Sequence, residues 1–186
     1  MSTFKSFETE RLILKPTSRA DGEFILALVN SPKWLQFIGD RKIKTVADAK
    51  DYISNKMLPQ LHRLGFGNYT VVRKEDGTKI GTCGLYDREG LDGIDLGIAF
   101  LPEYEGKGYG FEAAAKVVKM AFENFNIKAL QAITSKNNAL SQKLLVNLYF
   151  ELVGSIVLPN ETEELYLFKA ELNEDFAKNL TDHSAR

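Results

Sequence analysis

Three glycines at every second position, Gly106, Gly108 and Gly110, are the residues whose type and spacing point most directly to chemistry. Before them runs an alternating apolar stretch, Ile94-Asp95-Leu96-Gly97-Ile98-Ala99-Phe100. After them comes a run of strong helix formers that begins Phe111-Glu112-Ala113-Ala114-Ala115. Pro102, just before the glycines, removes a backbone donor and ends strand pairing. Lacking Cβ atoms, the glycines let a ligand come close to their amides. The helix behind them adds unpaired N–H groups and the positive end of its dipole. The combination is an anion site suited to phosphate or pyrophosphate. A Walker loop is excluded because Lys107 is followed by Gly108, not by a Ser or Thr that could hold a metal. The Gly-x-Gly-x-x-Gly dinucleotide spacing is also absent. A glycine-rich turn without a ligand is the plain alternative.

Other reactive residue types are sparse. His62 and His183 are far apart and have no partner at metal-ligand spacing, so no metal site is expected. Cys83 is the single cysteine, which precludes an internal disulfide and suits a reducing compartment; inside an apolar strand it is expected to pack, not react. Asp87, Glu89 and Asp92 share a polar loop without the full calcium-loop spacing; they could attract a cationic amine, but a plain solvated loop is the expectation. At 186 residues, 44% hydrophobic and 26% charged, the composition is that of one globular domain. A net charge of −1 gives no electrostatic case for nucleic acid or an anionic membrane. No apolar run approaches a membrane span and the N-terminus lacks a signal-peptide core, so a cytoplasmic protein is expected.

The elements that must position the glycines follow from periodicity. Arg11 to Lys15 is a strand closed by Pro16. Ser18 to Asp21 is a capping box for a helix carrying Phe24, Ile25, Leu28 and Val29. Trp34, Phe37 and Ile38 follow at helical spacing; Trp34 and Phe37 are expected in the core, with an acceptor pocket as the other reading. A long helical pattern from Thr45 to Leu64 contains Pro59, which should kink or split it. Asn68–Arg73, Lys79–Tyr86 and the strand from Ile94 should form an antiparallel meander. Strand, glycine loop, helix and the strand Leu130–Thr134 imply a right-handed crossover and a parallel pair. Asn137 and Asn138 can cap a helix through Asn147. Strands at Val153–Leu158 and Leu165–Ala170 flank a Pro159-Asn160 turn, and the polar tail from Leu172 is expected to fray. The sum is an α+β domain over residues 1–186, with a mixed, mainly antiparallel sheet and helices on both faces.

Four stretches together resemble the GNAT N-acetyltransferases, and within them the RimJ/RimL-like branch. They are Glu10-Arg11-Leu12-Ile13-Leu14, Asp95 to Pro102, Gly106 to Ala113, and Asn138-Ala139-Leu140-Ser141 with Leu148-Tyr149-Phe150. The resemblance covers most of residues 8 to 170. The glycine loop is similar to the family's Gln/Arg-x-x-Gly-x-Gly/Ala pyrophosphate loop, with Glu105 in the Gln/Arg place. Tyr149 stands where the closing motif has glycine, and Leu145 where many members carry a proton-donating tyrosine.

The resemblance implies a sheet splayed at the parallel pair, with acetyl-CoA as cosubstrate in the gap. Its pantetheine arm would pair with backbone near Ile98 and Phe100. Its pyrophosphate would rest on Gly106, Lys107, Gly108, Tyr109 and Gly110, and Asn138 and Ser141 would contact the arm. Ser141 becomes a candidate to stabilise the leaving sulfur. Asp95, on the small-residue face of its strand, becomes a candidate base or counter-charge, with a solvated strand-end carboxylate as the alternative. The implied activity is direct acetyl transfer to a primary amine, a protein N-terminus or a small molecule. The missing tyrosine keeps open a non-catalytic acyl-CoA sensor on the same fold. The amine acceptor is the expected partner, a homodimer is an option, and no nucleic acid or membrane is expected.

Overall fold

A computed structural model of the protein describes residues 4–184. One eight-stranded sheet runs through them, comprising β1 (Phe7–Glu8), β2 (Leu12–Pro16), β3 (Asn68–Arg73), β4 (Lys79–Asp87), β5 (Ile94–Phe100), β6 (Ala129–Ser135), β7 (Glu151–Val157) and β8 (Glu164–Glu171). Their spatial order is β1-β2-β3-β4-β5-β6-β8-β7. All neighbours are antiparallel except β5 and β6. The meander of β3, β4 and β5 and the parallel pair are as expected. The insertion of β8 between β6 and β7 leaves β7 as an exposed edge.

The helices are α1 (Gly22–Val29), α2 (Pro32–Phe37), α3 (Val46–Tyr52), α4 (Leu58–Leu64), α5 (Tyr109–Phe125), α6 (Ala139–Asn147) and α7 (Glu174–Ser184). The Ser18–Asp21 capping box forms, and a short 3-10 turn leads from it into α1. The long pattern after Thr45 divides into α3 and α4 through a π-helical turn at Ile53–Met57. Pro59 then sits in the first turn of α4, where its missing N–H costs nothing.

Strand alternation sorts side chains between two layers. Cys83, Leu85, Leu96 and Phe100 join the main core under α5, with Ala113, Val117 and Met120. A second cluster, Ile25, Val29, Ile43, Ala49 and Ile53, belongs to the α1–α3 region. Cys83 is wholly buried, and that burial pushes its thiol pKa up, away from thiolate chemistry.

The tail does not fray as the sequence suggested. Leu172 and Leu180 are buried, Phe176 packs against the core, and α7 lies beside α5. Apolar positions spaced for one helix face, with α5 to receive them, outweigh the polar composition. No helix among the described residues is long and apolar enough to cross a membrane.

Candidate active site

The site begins at the parallel pair. β5 and β6 are joined at a single register position, Asp95 opposite Gln131. β5 is fully paired with β4, and β6 with β8. From Leu96 to Phe100 the edge of β5 facing β6 is therefore left open. Backbone donors and acceptors on such an edge must find a partner, and an extended ligand arm can provide it.

The glycine loop closes the end of this gap. Gly106 and Gly108 have φ of 70° and 81°, a left-handed conformation that favours glycine. Gly108 is the residue that caps α5. Among the described residues, the amides of Gly106 through Gly110 donate to no backbone acceptor. A Cβ on Gly106 would meet nothing within 4 Å, and one on Gly110 would touch only Leu144 Cδ2 at 3.8 Å. Open space in front of unspent amides at a 17-residue helix N-terminus is a fit for a pyrophosphate.

The loop is braced from behind by residues not anticipated as a unit. Glu112, in the first turn of α5, accepts from Thr9 Oγ1 at 2.5 Å, the Arg11 amide at 2.9 Å and Arg11 Nε at 2.6 Å. Burial pushes the Glu112 pKa up, but these donors outweigh it and hold the carboxyl below its ordinary range. Arg11 Nη1 donates to the Lys107 carbonyl at 3.1 Å, and its guanidinium lies 4.5 Å over the Tyr109 ring. The local sequence carries no signal for this brace, because an acidic residue in a helix first turn is favourable by itself, and its partners Thr9 and Arg11 lie about a hundred residues away in the chain.

A cleft of about 1190 Å³ connects the gap, the loop and the α2–α4 region. Of the anticipated residues, Asp95, Ile98, Phe100, Gly106, Gly108, Gly110, Asn138 and Ser141 line it together. Lys107 and Tyr109 do not; the Tyr109 ring is buried in the core, and Lys107 Nζ lies 5.6 Å over the Tyr104 ring. Asn138 caps α6, its Oδ1 accepting from the Ser141 amide at 3.1 Å. Leu145 is buried and lines the cleft with methyl groups. Trp34 packs against the second core cluster, as expected, and also lines the cleft, whereas Phe37 is part of the cleft wall. The Trp34 indole Nε1 is buried there and has no hydrogen-bond partner among the described residues.

Asp95 is not a solvated strand-end carboxylate. It is 0% exposed, and Arg88 Nε and Nη2 donate to both its oxygens at 3.2–3.3 Å. Burial pushes its pKa up; the Arg88 charge and hydrogen bonds oppose this without cancelling it. Tyr86, opposite Asp95, covers Gly97 with its ring and donates to Asn68 Oδ1. Burial also pushes the Tyr86 pKa up, so its hydroxyl stays protonated. Asp87 lines the cleft and is paired with Arg63 at 2.6 Å, while Glu89 and Asp92 are exposed outside it. His62 stacks on Phe4, and no group of three or more His, Cys, Asp or Glu residues among those described could hold a metal.

The comparisons with known proteins point to one family and one fold. The family model for the acetyltransferase (GNAT) domain matches residues 11–151. An uncharacterized N-acetyltransferase, p20 of Bacillus licheniformis, is 30% identical over 152 residues, covering 78% of this chain and 82% of its own. An uncharacterized N-acetyltransferase of Bacillus subtilis, YoaA, is 24% identical over 152 residues, with 81% and 85% covered. The crystal structure of an acetyltransferase from Agrobacterium tumefaciens superposes with a TM-score of 0.77 at 23% identity, covering 92% of this chain and 97% of that one. A ribosomal-protein-S5-alanine acetyltransferase from Vibrio fischeri gives 0.70 at 21%, with 92% and 98% covered.

Proposed function

The chain belongs to the GNAT acetyltransferase family, and from that premise we propose that it passes the acetyl group of acetyl-CoA directly to a primary amine. The observation that carries this reading is the open edge of β5 ending at a loop of unspent amides. Ile98 and Phe100 offer backbone to the pantetheine arm, and the amides from Gly106 to Gly110 receive the pyrophosphate. The amine nitrogen attacks the thioester carbon, the C–S bond breaks and the sulfur leaves with the bonding pair; the proton lost by the amine passes to water or a nearby carboxylate, and the thiolate takes one up to leave as the CoA thiol. Peptide N-termini, the RimJ/RimL-like choice, and small amines are the two acceptor classes. The likeness of the fold to the Vibrio fischeri ribosomal-protein enzyme supports keeping the first.

Ser141 donates a hydrogen bond to the departing sulfur in place of the tyrosine that Leu145 replaces. Asp95 serves the amine side. Its two oxygens are already taken by Arg88, a geometry that favours an electrostatic role through that pair over direct proton abstraction. If Asp95 takes the proton itself, Asp95→Asn lowers kcat/KM by ~10²–10⁴, while Arg88→Met keeps a rate that still rises with pH above the usual carboxylate range. If it works through Arg88, the two variants behave alike. The test of the whole reading is release of free CoA thiol from acetyl-CoA with N-terminal peptides, polyamines and aminoglycosides. Turnover on any of them is expected. Tight binding without turnover on all would favour the sensor.

A further inference from the structure

Glu105 is where this chain departs from the Gln or Arg of the loop pattern, and it lines the same cleft as the loop glycines. An acid beside a pyrophosphate site repels the ligand the site is built for. Here the repulsion has a counterweight from elsewhere in the chain. Lys33 Nζ, on α2, donates to Glu105 Oε2, and both residues line the cleft. The neighbouring cations are committed elsewhere. Lys107 Nζ is turned onto the Tyr104 ring, and Arg11 is held by Glu112 and the Lys107 carbonyl.

We propose that Lys33 is the charge-compensating residue of the acetyl-CoA loop, a cation lent by the cleft-wall helix α2 that neutralises Glu105 and so restores the loop's affinity for a pyrophosphate. The proposal rests on the acetyltransferase reading. Lys33 is a positioning and binding residue here, with no part in the chemistry of transfer. Its position also explains how an acidic residue is tolerated in a loop whose pattern otherwise carries a neutral or basic side chain. The carboxylate arrives at the cleft already paired, so the loop plus Lys33 presents no net repulsion to the phosphates. On the same helix, Trp34 and Phe37 form part of the cleft wall. The ion pair therefore also fixes that wall against the loop.

The test is a double-mutant cycle on the full chain, with acetyl-CoA dissociation constants from calorimetry at low and moderate salt. Lys33→Ala should weaken binding roughly 5–30-fold, the size expected of one exposed like-charge contact near a surface. Glu105→Gln alone should tighten it modestly, because Lys33 is then an unspent cation. Combining the two should return the constant to within about twofold of wild type. The loss in Lys33→Ala should shrink as salt rises. Unchanged affinity in Lys33→Ala would overturn the proposal. So would a double variant as weak as Lys33→Ala, which would mean that Lys33 acts on the phosphates without Glu105. A wild-type chain that binds no acetyl-CoA would instead overturn the acetyltransferase reading, and this inference with it.

Discussion

Ser141 is proposed to stand in for the acid that Leu145 cannot supply, and the chemistry of the leaving group sets how much a single hydroxyl has to do. A free thiol has a pKa near ~8.5, so a thiolate leaves tolerably near neutral pH and full proton donation is not obligatory. The Ser141 amide is held by Asn138 at 3.1 Å, which fixes the start of α6, and the residue lines the cleft one turn before Leu145. A charge-assisted bond of ~1.5–3 kcal/mol made mainly in the transition state is worth roughly 10–150-fold in rate. Ser141→Ala should lower kcat by that factor and leave acetyl-CoA affinity nearly unchanged; steady-state kinetics beside calorimetry would check it. A loss confined to affinity would make Ser141 a binding residue only. Glu112 supports the same site from behind and gives stability a pH dependence. Its folded pKa lies below the ordinary carboxylate value, so its stabilisation is present above that value and is lost as pH falls through the folded pKa. Glu112→Gln should cost about 1–2 kcal/mol at pH 7 and flatten the acid limb of the stability curve. Urea melts between pH 3 and about 7 would read both effects; parallel pH profiles for variant and wild type would remove Glu112 from this role.

At the scale of elements, the end of α6 carries a cost that its sequence advertises. Tyr149 takes the place of a glycine and has φ 62°. Its amide donates to the Val146 carbonyl at 3.0 Å, and the Phe150 amide to the Leu145 carbonyl at 2.9 Å, the paired bonds of a left-handed helix stop. The backbone keeps the turn because those bonds and the burial of Leu145 and Phe150 outweigh a side chain in a crowded conformation. The Tyr149 ring also meets the Phe176 ring edge-on at 6.2 Å, linking α6 to α7. Two variants separate these contributions, since both remove the ring but only one removes the strain. Tyr149→Gly should be more stable than Tyr149→Ala by about 1 kcal/mol in urea melts. Equal stability of the two would mean that the left-handed residue stores no strain.

For the whole molecule, the splay of the sheet is the feature from which the proposed binding follows. A parallel pair joined at one position leaves an edge and a cleft that the folded state alone possesses. A ligand that binds only this state stabilises it by about 2.7 kcal/mol at a hundred times its dissociation constant. For a chain of this size that is a rise in Tm of roughly 5–11 °C. Acetyl-CoA should produce it in a thermal scan. A variant of the loop should lose the shift without losing the fold, and the choice of position matters. Gly108 is left-handed, so any side chain there strains the apo protein. Gly110 is not, and its nearest neighbour to an added Cβ is the flexible end of Leu144 at 3.8 Å. Gly110→Val should therefore keep a Tm close to wild type without ligand and show little or no rise with acetyl-CoA. A full ligand-induced rise in the variant would move the pyrophosphate away from this loop.

Local chemistry alone made much of this legible. Period-two alternation marked β3, β4 and β5, the glycine spacing marked the loop, and the one-sided run after Phe111 marked α5, because breakers and periodicity act between near neighbours. The same locality explains what the sequence withheld. The placement of β8 between β6 and β7 depends on pairing across distant residues. The docking of α7 depends on a face of α5 that only folding presents. The charges of the site were unreadable for the same reason: Asp95 could be a solvated strand-end carboxylate until Arg88 closed over it, and Glu105 was a bare departure from the loop pattern until α2 brought Lys33 to it. A residue's type is fixed by the sequence, but the partner that decides its burial, its protonation and its use comes from wherever the fold delivers it.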